Sequence, residues 1–567
     1  MTVNEKKQYG AYYTSDSIAS FIASKIVFLL KKLGIKAPNC VDPAVGDGSL
    51  LLALEQKLKS FEKCFFCGVD VRQEAVNNVT ALFQEKGKKN YLFLKRDGLF
   101  PTEGKTSREG WISLIKKKMK GGIHAFISNP PWGTSLSNYG DLSLCFDSAK
   151  GQYDIYDLFV EMMINHLSEN GVYGIIVPDS IYNQEHFFIR KRLLEETSIR
   201  YLVRLGEGFF SDAYISATII IGVKSKQRKK NEKVYCSHLN HEDRKKVLCG
   251  ELTLEKAVQN GGHYVTQQKF IDSNYMLLTD VFHNDEMLLK QLGRHSKLNH
   301  FCDNFRGVEL SKKGVVFQCS ACGAWSPYPK KKADDYKCKF CGKKISLATC
   351  NCETIISTKK QPHSRKIIVG ECIDRYSTKK ELYIKTGFRG INYKREALYS
   401  LPKIVVRKTG VGITACIDYN GCMTNQVVYG IRVKEKWSQS VPLEFIMAVV
   451  NSRIATYYLI KHFGCAEWKS HPYITQDMLN QIPVPYDDSP VFQQTVKSVA
   501  NLVKKIETTK SELNECDSQI EALLLKLYKL NESDFERIYG SIQDAQQLIP
   551  FKRLLNVSKE KICSHGL

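Results

Sequence analysis

The chain has 567 residues, 43% of them apolar, so about three globular domains with ordinary cores are expected. No run of about 18 uncharged apolar residues occurs, and the opening MTVNEKKQYG has no apolar leader, which argues against a membrane span and a secretory signal. With 19 cysteines and no signal, the thiols are expected to stay reduced and to serve a metal rather than disulfides, while the net charge of +23 calls for a polyanionic partner.

Residues 1–235 alternate two patterns. NCVDP, FFCGVDV, YLFLKRD, HAFISNP, YGIIVPD, YLVRLG and SATIIIGV read as strands, and SIASFIASKIVFLLKKL and YDLFVEMMINHL as amphipathic helices. This alternation predicts an α/β domain with a mostly parallel sheet flanked by helices. The polar run KSKQRKKNEK (224–233) reads as the linker that closes it. Residues 236–490 lose the alternation and predict a mixed α+β domain of short strands and glycine turns, in which FRGVEL (305–310) and FRGINY (388–393) echo each other. In 491–567 the spacing of Phe492, Val496, Val499, Val503, Ile506, Leu513, Ile520, Leu524 and Leu527 predicts a long helix or helical hairpin, packed in its own domain or forming a dimerising coiled coil.

The first chemical motif is VDPAVGDGSLL (41–51), a strand, a glycine-bearing turn and a helix start. Gly46 and Gly48 let a ligand approach the backbone, and Asp42 at the strand end suits a cationic amino or sulfonium group better than a pyrophosphate. GVDV (68–71) ends the next strand, where Asp70 can accept from ribose hydroxyls and Val71 offers an apolar surface to a purine. KRDG (95–98) ends a third, where Asp97 can accept from an adenine amino group. Any one of these carboxylates alone is more simply a cap or a turn. Three on successive strand ends read as a site for a nucleoside that carries a cation.

The order GAYYTS, DPAVGDG, GVDV, RDGLF, NPPW resembles the S-adenosylmethionine-dependent DNA adenine-N6 methyltransferases. The group resembled is the one with the catalytic domain first and the target-recognition domain last, as in many bacterial restriction–modification enzymes. The resemblance covers about 1–225 and extends more loosely to LPKIVVRKTG (401–410) and YITQDMLNQIPVP (473–485). It implies a Rossmann-like methyltransferase sheet, S-adenosylmethionine as cofactor and double-stranded DNA as substrate. It implies a cofactor carboxylate near Tyr13 and Thr14, the methionine part along Asp42 and the Ala44–Gly48 turn, ribose on Asp70, and the cofactor adenine between Val71 and Asp97. Ser15, Val45 and Asp47 depart from the family's commoner residues.

In ISNPPWGTS (127–135), two prolines stiffen a loop after a strand. Strand termination explains the prolines taken alone. The adenine amine is a poor nucleophile because its lone pair is delocalised. The Asn129 side-chain carbonyl and the Pro130 main-chain carbonyl can each accept one amino hydrogen and favour a pyramidal nitrogen. A duplex base must be flipped out and stacked. Trp132 is expected on one face of it and, by the resemblance, Phe210 of GEGFFSDAYISAT (206–218) on the other. Cytosine-N4 transfer is disfavoured, since that chemistry more often has Ser in place of Asn129. An RNA adenine, a protein amide or a non-catalytic DNA-binding role are the alternatives. No nuclease motif is evident and the cofactor motif comes almost first. The expectation is therefore a modification enzyme of the prokaryotic cytoplasm, associated with the nucleoid through DNA, and partnered by a restriction endonuclease or other defence proteins.

Residues 301–410 hold 24 Lys/Arg against 9 Asp/Glu, which places +15 of the net charge in a fifth of the chain. Inside it, CSACG (319–323) and CKFCG (338–342) are two Cys-x-x-Cys-Gly knuckles. They predict a structural zinc ribbon at about 315–345 with Cys319, Cys322, Cys338 and Cys341 as ligands. Cys350 and Cys352 are weaker competitors. Four unrelated buried cysteines would not explain the glycine after each pair. Arg306, Arg389 and Arg407 are candidates for DNA contact, to phosphate or to base.

Overall fold

Each of the seven apolar runs of the first half forms a strand: β1 (Asn39–Asp42), β2 (Phe65–Asp70), β3 (Tyr91–Lys95), β4 (Ile123–Ser128), β5 (Leu167–Pro178), β6 (Thr197–Gly206) and β7 (Ala217–Lys224). Two more follow, β8 (Lys233–His238) and β9 (Gly262–Thr266). The computed structural model describes residues 14–566 apart from 62, 103–109, 117, 120, 135, 137–138, 140, 211–215, 226–230, 312, 330–334, 401, 411, 464–473 and 544–548. The chain divides into two compact units, Met1–Phe282 and His283–Leu567.

The first unit is built on one sheet in the order β3-β2-β1-β4-β5-β7-β6-β8-β9. The pairs from β3 to β5 are all parallel, β7 runs antiparallel between β5 and β6, and β9 is antiparallel to β8. The sheet is therefore mixed, and the mostly parallel expectation holds for its first five strands. Helices α1 (Asp16–Lys32), α2 (Ser49–Lys57), α3 (Gln73–Glu85), α4 (Ile112–Lys116), α5 (Ile155–His166) and α6 (Phe187–Glu196) supply the crossovers and cover. α1 buries Ile18, Phe21, Ile22, Ile26 and Leu30 and packs on α2 and β5. α5 begins at Asp154, whose carboxylate caps it in a reciprocal box with Asp157. The strand order reverses between β1 and β4, where the register sets Cys40 against Ala125 and Val41 against Phe126. Crevices outside the carboxyl ends of strands at such a reversal are where open α/β sheets bind ligands.

The run read as a linker (224–233) joins β7 to β8 within this sheet, and β8 pairs parallel with β6. The first unit thus ends at Phe282 rather than at 235, because the outer edge of β6 is completed by residues beyond that boundary.

In the second unit, an antiparallel sheet orders Cys302–Arg306, Val428–Val433, Lys403–Arg407 and Ala415–Asp418. A second sheet orders Ile356–Ser357, Leu382–Lys385, Ser364–Ile368 and Met423–Thr424. The segment read as helical forms a hairpin, Pro490–Thr508 and Leu513–Leu527. Phe492, Val496, Val499, Val503 and Ile506 lie in the same apolar core as the strands, so this face packs within the unit, and no break in the core falls at 490. Phe317, Cys319, Cys338, Ile345 and Leu347 form a separate small core. The FRG echo is not a structural repeat: Phe305 sits in a strand paired to Val428–Val433, whereas Phe388 lies in a turn. No single helix among the described residues is long and apolar enough to cross a membrane.

Candidate active site and cysteine knuckles

The end of β1 carries the first site group. Asp42 is 1% exposed, and its Oδ1 accepts from the Ala44 N–H (3.0 Å) and the Ser128 hydroxyl (2.8 Å). Burial, opposed by those two donors and assisted by Asp70 and Asp47, pushes its carboxyl up to about 7. The turn after it is tight: Gly48 has φ +82°, and a Cβ there would lie 2.7 Å from Val79 Cγ2, so only glycine fits. The Gly46 N–H donates to Asp70 Oδ2 (3.0 Å) and ties this turn to the end of β2.

Asp70 is also held by Arg72, whose main-chain N–H (2.8 Å) and Nε (3.1 Å) donate to Oδ1 and whose Nη2 donates to Oδ2 (3.3 Å). With Gly46 these donors fill the four lone-pair positions of a carboxylate. A ribose diol on Asp70 has to displace the Arg72 side chain. Val71, next in line, is 42% exposed and offers an open apolar face. Asp97 lies two residues past β3, and its Oδ1 accepts from the Leu99 N–H (3.1 Å).

Asn129 follows β4 directly, one residue after Ser128, whose hydroxyl binds Asp42. Its Nδ2 donates to Thr14 Oγ1 (3.2 Å), and Thr14 is buried. The Gly133 N–H donates to both carboxylate oxygens of Asp154 (3.0 and 3.1 Å), which anchors the far end of the loop to the start of α5. Trp132 and Phe210, expected on opposite faces of a flipped base, touch each other and do not form two walls of a slot. They are 3% and 2% exposed, with ring centroids 5.1 Å apart and planes at 77°. A base stacked on both needs near-parallel rings about 7 Å apart, two van der Waals contacts of about 3.5 Å. The two rings instead bury each other edge to face. Tyr13 lies outside the described residues.

Residues 1–287 match the N-6 DNA Methylase family, which is half of the chain. The chain belongs to this family. Residues 365–484 match the TaqI-like C-terminal specificity domain. Two curated relatives are similar: Type II methyltransferase M.BanIII of Aneurinibacillus aneurinilyticus, 28% identical over 233 residues (39% of each chain), and Type II methyltransferase M.BsuBI of Bacillus subtilis, 26% identical over 212 residues (36% of this chain, 41% of the relative). This member of the family spans about two fifths of the length of either. A type I restriction–modification methyltransferase subunit from Streptococcus thermophilus aligns over 47% of this chain and 58% of its own, with 19% identity and a TM-score of 0.36.

Three groups at the candidate site were not read from the sequence. Ser128 and Arg72 gain their roles from strand adjacency and a side-chain turn, which no local pattern signals. Asp154 was within reach, as the N-cap three residues before a second acid at the start of an amphipathic run.

The four knuckle thiols also converge. Cys319 Sγ lies 3.8 Å from Cys341 Sγ, and Cys322 Sγ lies 3.8 Å from Cys338 Sγ. All four sulfurs fall within 4.8 Å of one another. A tetrahedron with metal–sulfur bonds of about 2.3 Å has sulfur–sulfur edges of about 3.8 Å. Main-chain N–H groups of Cys341 and Phe340 hold the Cys338 thiol well below its usual range. The two weaker competitors lie outside this four-sulfur cluster: Cys350 Sγ donates to the Ser346 carbonyl (3.2 Å) and Cys352 Sγ to the Cys350 carbonyl (3.6 Å). Of the three arginines, Arg306 and Arg389 are exposed, while Arg407 is half-buried and its Nε finds no acceptor among the described residues.

Proposed function

We propose that this chain transfers a methyl group from S-adenosylmethionine to N6 of an adenine flipped out of duplex DNA, as the modification component of a restriction–modification or related defence system. The observation that carries this reading is that Asn129-Pro-Pro-Trp132 leaves β4 one residue after Ser128, whose hydroxyl binds the buried Asp42 at the strand-order reversal. A carboxyl that burial holds near 7 is suited to a cationic ligand, which would stabilise its ionised form. The cofactor's methionine part would lie along Asp42 and the Ala44–Gly48 turn and its adenine between Val71 and Asp97, Asp70 would take the ribose once the Arg72 side chain moves off it, and the family resemblance assigns the cofactor carboxylate to Tyr13 and Thr14. When bound, the cofactor supplies an electrophilic methyl on a sulfonium.

The chain's own residues do the rest by positioning. The Asn129 side-chain carbonyl and the Pro130 carbonyl accept the two amino hydrogens, so the nitrogen lone pair points toward the cofactor. The Asn129 amide nitrogen donates to Thr14 Oγ1, which supports giving its oxygen the acceptor part toward the base. Phe210 turns off Trp132 as the base enters, and the two rings then stack on it. The four thiolates hold a structural zinc ion, closed to substrate, in a ribbon ahead of the specificity segment.

Asn129→Ala is the decisive substitution. It should abolish transfer of labelled methyl to plasmid DNA and leave S-adenosylmethionine binding within about twofold, since Asn129 acts on the acceptor. Nucleoside mass spectrometry of DNA treated with wild-type protein should yield N6-methyladenine. Labelled DNA from the variant, or N4-methylcytosine from the wild type, sinks the reading.

A further inference from the structure

The ribbon touches one other segment of its unit in a telling way. The Trp325 N–H donates to the Arg389 carbonyl (2.7 Å), and Phe388 packs its ring edge to face on Trp325, centroids 5.0 Å apart. Gly390, between them and Ile391, has φ +106°; a Cβ there would lie 2.5 Å from the Trp325 carbonyl oxygen and 3.0 Å from Phe340 Cε2. Phe340 sits inside the second knuckle, between Cys338 and Cys341, and is 57% exposed. The ribbon therefore grips the 388–391 turn from two sides, through Trp325 just after the first knuckle and Phe340 within the second. Arg389 projects from that turn, exposed and with no ion-pair partner among the described residues.

The ribbon's outer surface carries a second oddity. In its hairpin, Lys337 lies directly opposite Lys344, both exposed. Like charges directly opposite on an antiparallel pair are destabilising. Lys339 and Lys343 add two more exposed cations, and none of the four is paired with a carboxylate among the described residues. A cross-strand lysine pair without a counter-charge, in the same ribbon that grips the Arg389 turn, calls for an anion that repeats along a line.

We propose that the metal-loaded ribbon is a clamp on the DNA backbone: Lys337, Lys339 and Lys344 take phosphates, and Phe340 holds the turn that presents Arg389 beside them. This rests on the zinc and DNA readings above. It assigns the ribbon an active part in substrate binding, with Phe340 as a positioning residue that works through Arg389.

The test uses the full chain, zinc analysis, cofactor titration, and binding and methylation of a fluorescent duplex carrying the modified site. Phe340→Ala should keep its zinc, its cofactor affinity and kcat, and raise Kd and KM for the duplex about tenfold, as Arg389→Gln does. The double variant should be no worse than either single one, and Phe340→Leu should recover most of the loss. Lys337→Gln with Lys344→Gln should flatten the dependence of log Kd on log salt by about two phosphates' worth. Zinc-replete Phe340→Ala that binds DNA as wild type does, or a double variant with additive losses, overturns the clamp and leaves the zinc reading standing. Wild-type protein without zinc overturns the metal reading itself, and a chain that binds no DNA overturns the proposed function.

Discussion

Asp42 shows how a single buried side chain sets pH behaviour. In the folded chain its carboxyl titrates at about 7, whereas in the unfolded chain it ionises near 3.9, as a model aspartate does. A folded pKa raised above the unfolded one means that the folded state holds the proton longer. Its contribution is therefore fully present below about pH 4 and is lost as pH rises through 7, by up to about 4 kcal/mol. A cation seated on Asp42 reverses the preference, because it favours the ionised form. Cofactor affinity should thus rise with pH up to about 7 and level off above it, and the thermal shift given by S-adenosylmethionine should be larger at pH 8 than at pH 6. Asp42→Asn should bind weakly with a flat profile. A wild-type profile flat between pH 5.5 and 8 by isothermal titration would show that Asp42 does not face the cation. Of this site, the acid and its glycine turn were legible because β1, turn and α2 are continuous in sequence. Ser128, 86 residues away, was not, because only the β1–β4 pairing brings it to Asp42.

At the scale of elements, the C-terminal helices show what periodicity cannot tell. The spacing of Phe492, Val496, Val499 and Val503 identifies a buried face but not what covers it. The structure covers it with Leu443–Asn451, with Phe445 and Phe492 in ring contact. The helix that follows, Arg453–Phe463, is joined to Leu513–Leu527 by charge: Arg453, wholly buried, donates from Nη1 to Glu521 (3.1 Å) and from Nη2 to Asp517 (3.0 Å). Arg375 reaches Asp517 as well, at 2.5 Å. These partners are 64 to 142 residues apart, so nothing local in the sequence announces them. Removing one member of a buried ion network strands the others, at a cost of about 3–5 kcal/mol. Arg453→Ala should lose stability of that order in urea unfolding, with cofactor binding to the first unit unchanged at low urea. A loss under about 1 kcal/mol would mean that the helices are held by apolar packing alone.

At the scale of the whole chain, composition and motifs separated an α/β half from a basic half, and the division between those two was misplaced where charge imitated a linker. KSKQRKKNEK is polar enough to end a domain, yet β8 follows it and pairs with β6. Val234, Cys236, Leu239, Val258, Val265 and Phe270 join the same apolar core as the first seven strands. Gln267, 1% exposed, takes the Ile199 N–H on Oε1 (2.8 Å) and donates from Nε2 to the carbonyls of Leu194 (2.9 Å) and Thr197 (2.7 Å), closing the junction of α6 and β6. A chain stopped at 235 loses these partners and leaves most of β6 as an open edge. Each buried group deprived of a hydrogen bond costs about 1–3 kcal/mol, and a long apolar edge invites pairing with other chains. Residues 1–282 expressed alone should be monomeric and should bind S-adenosylmethionine, whereas 1–235 should aggregate. Gln267→Leu in 1–282 should fall between them, with a lower Tm and no change in cofactor affinity. If 1–235 proves monomeric and melts at the temperature of 1–282, then β8 and β9 only decorate a sheet that is complete without them.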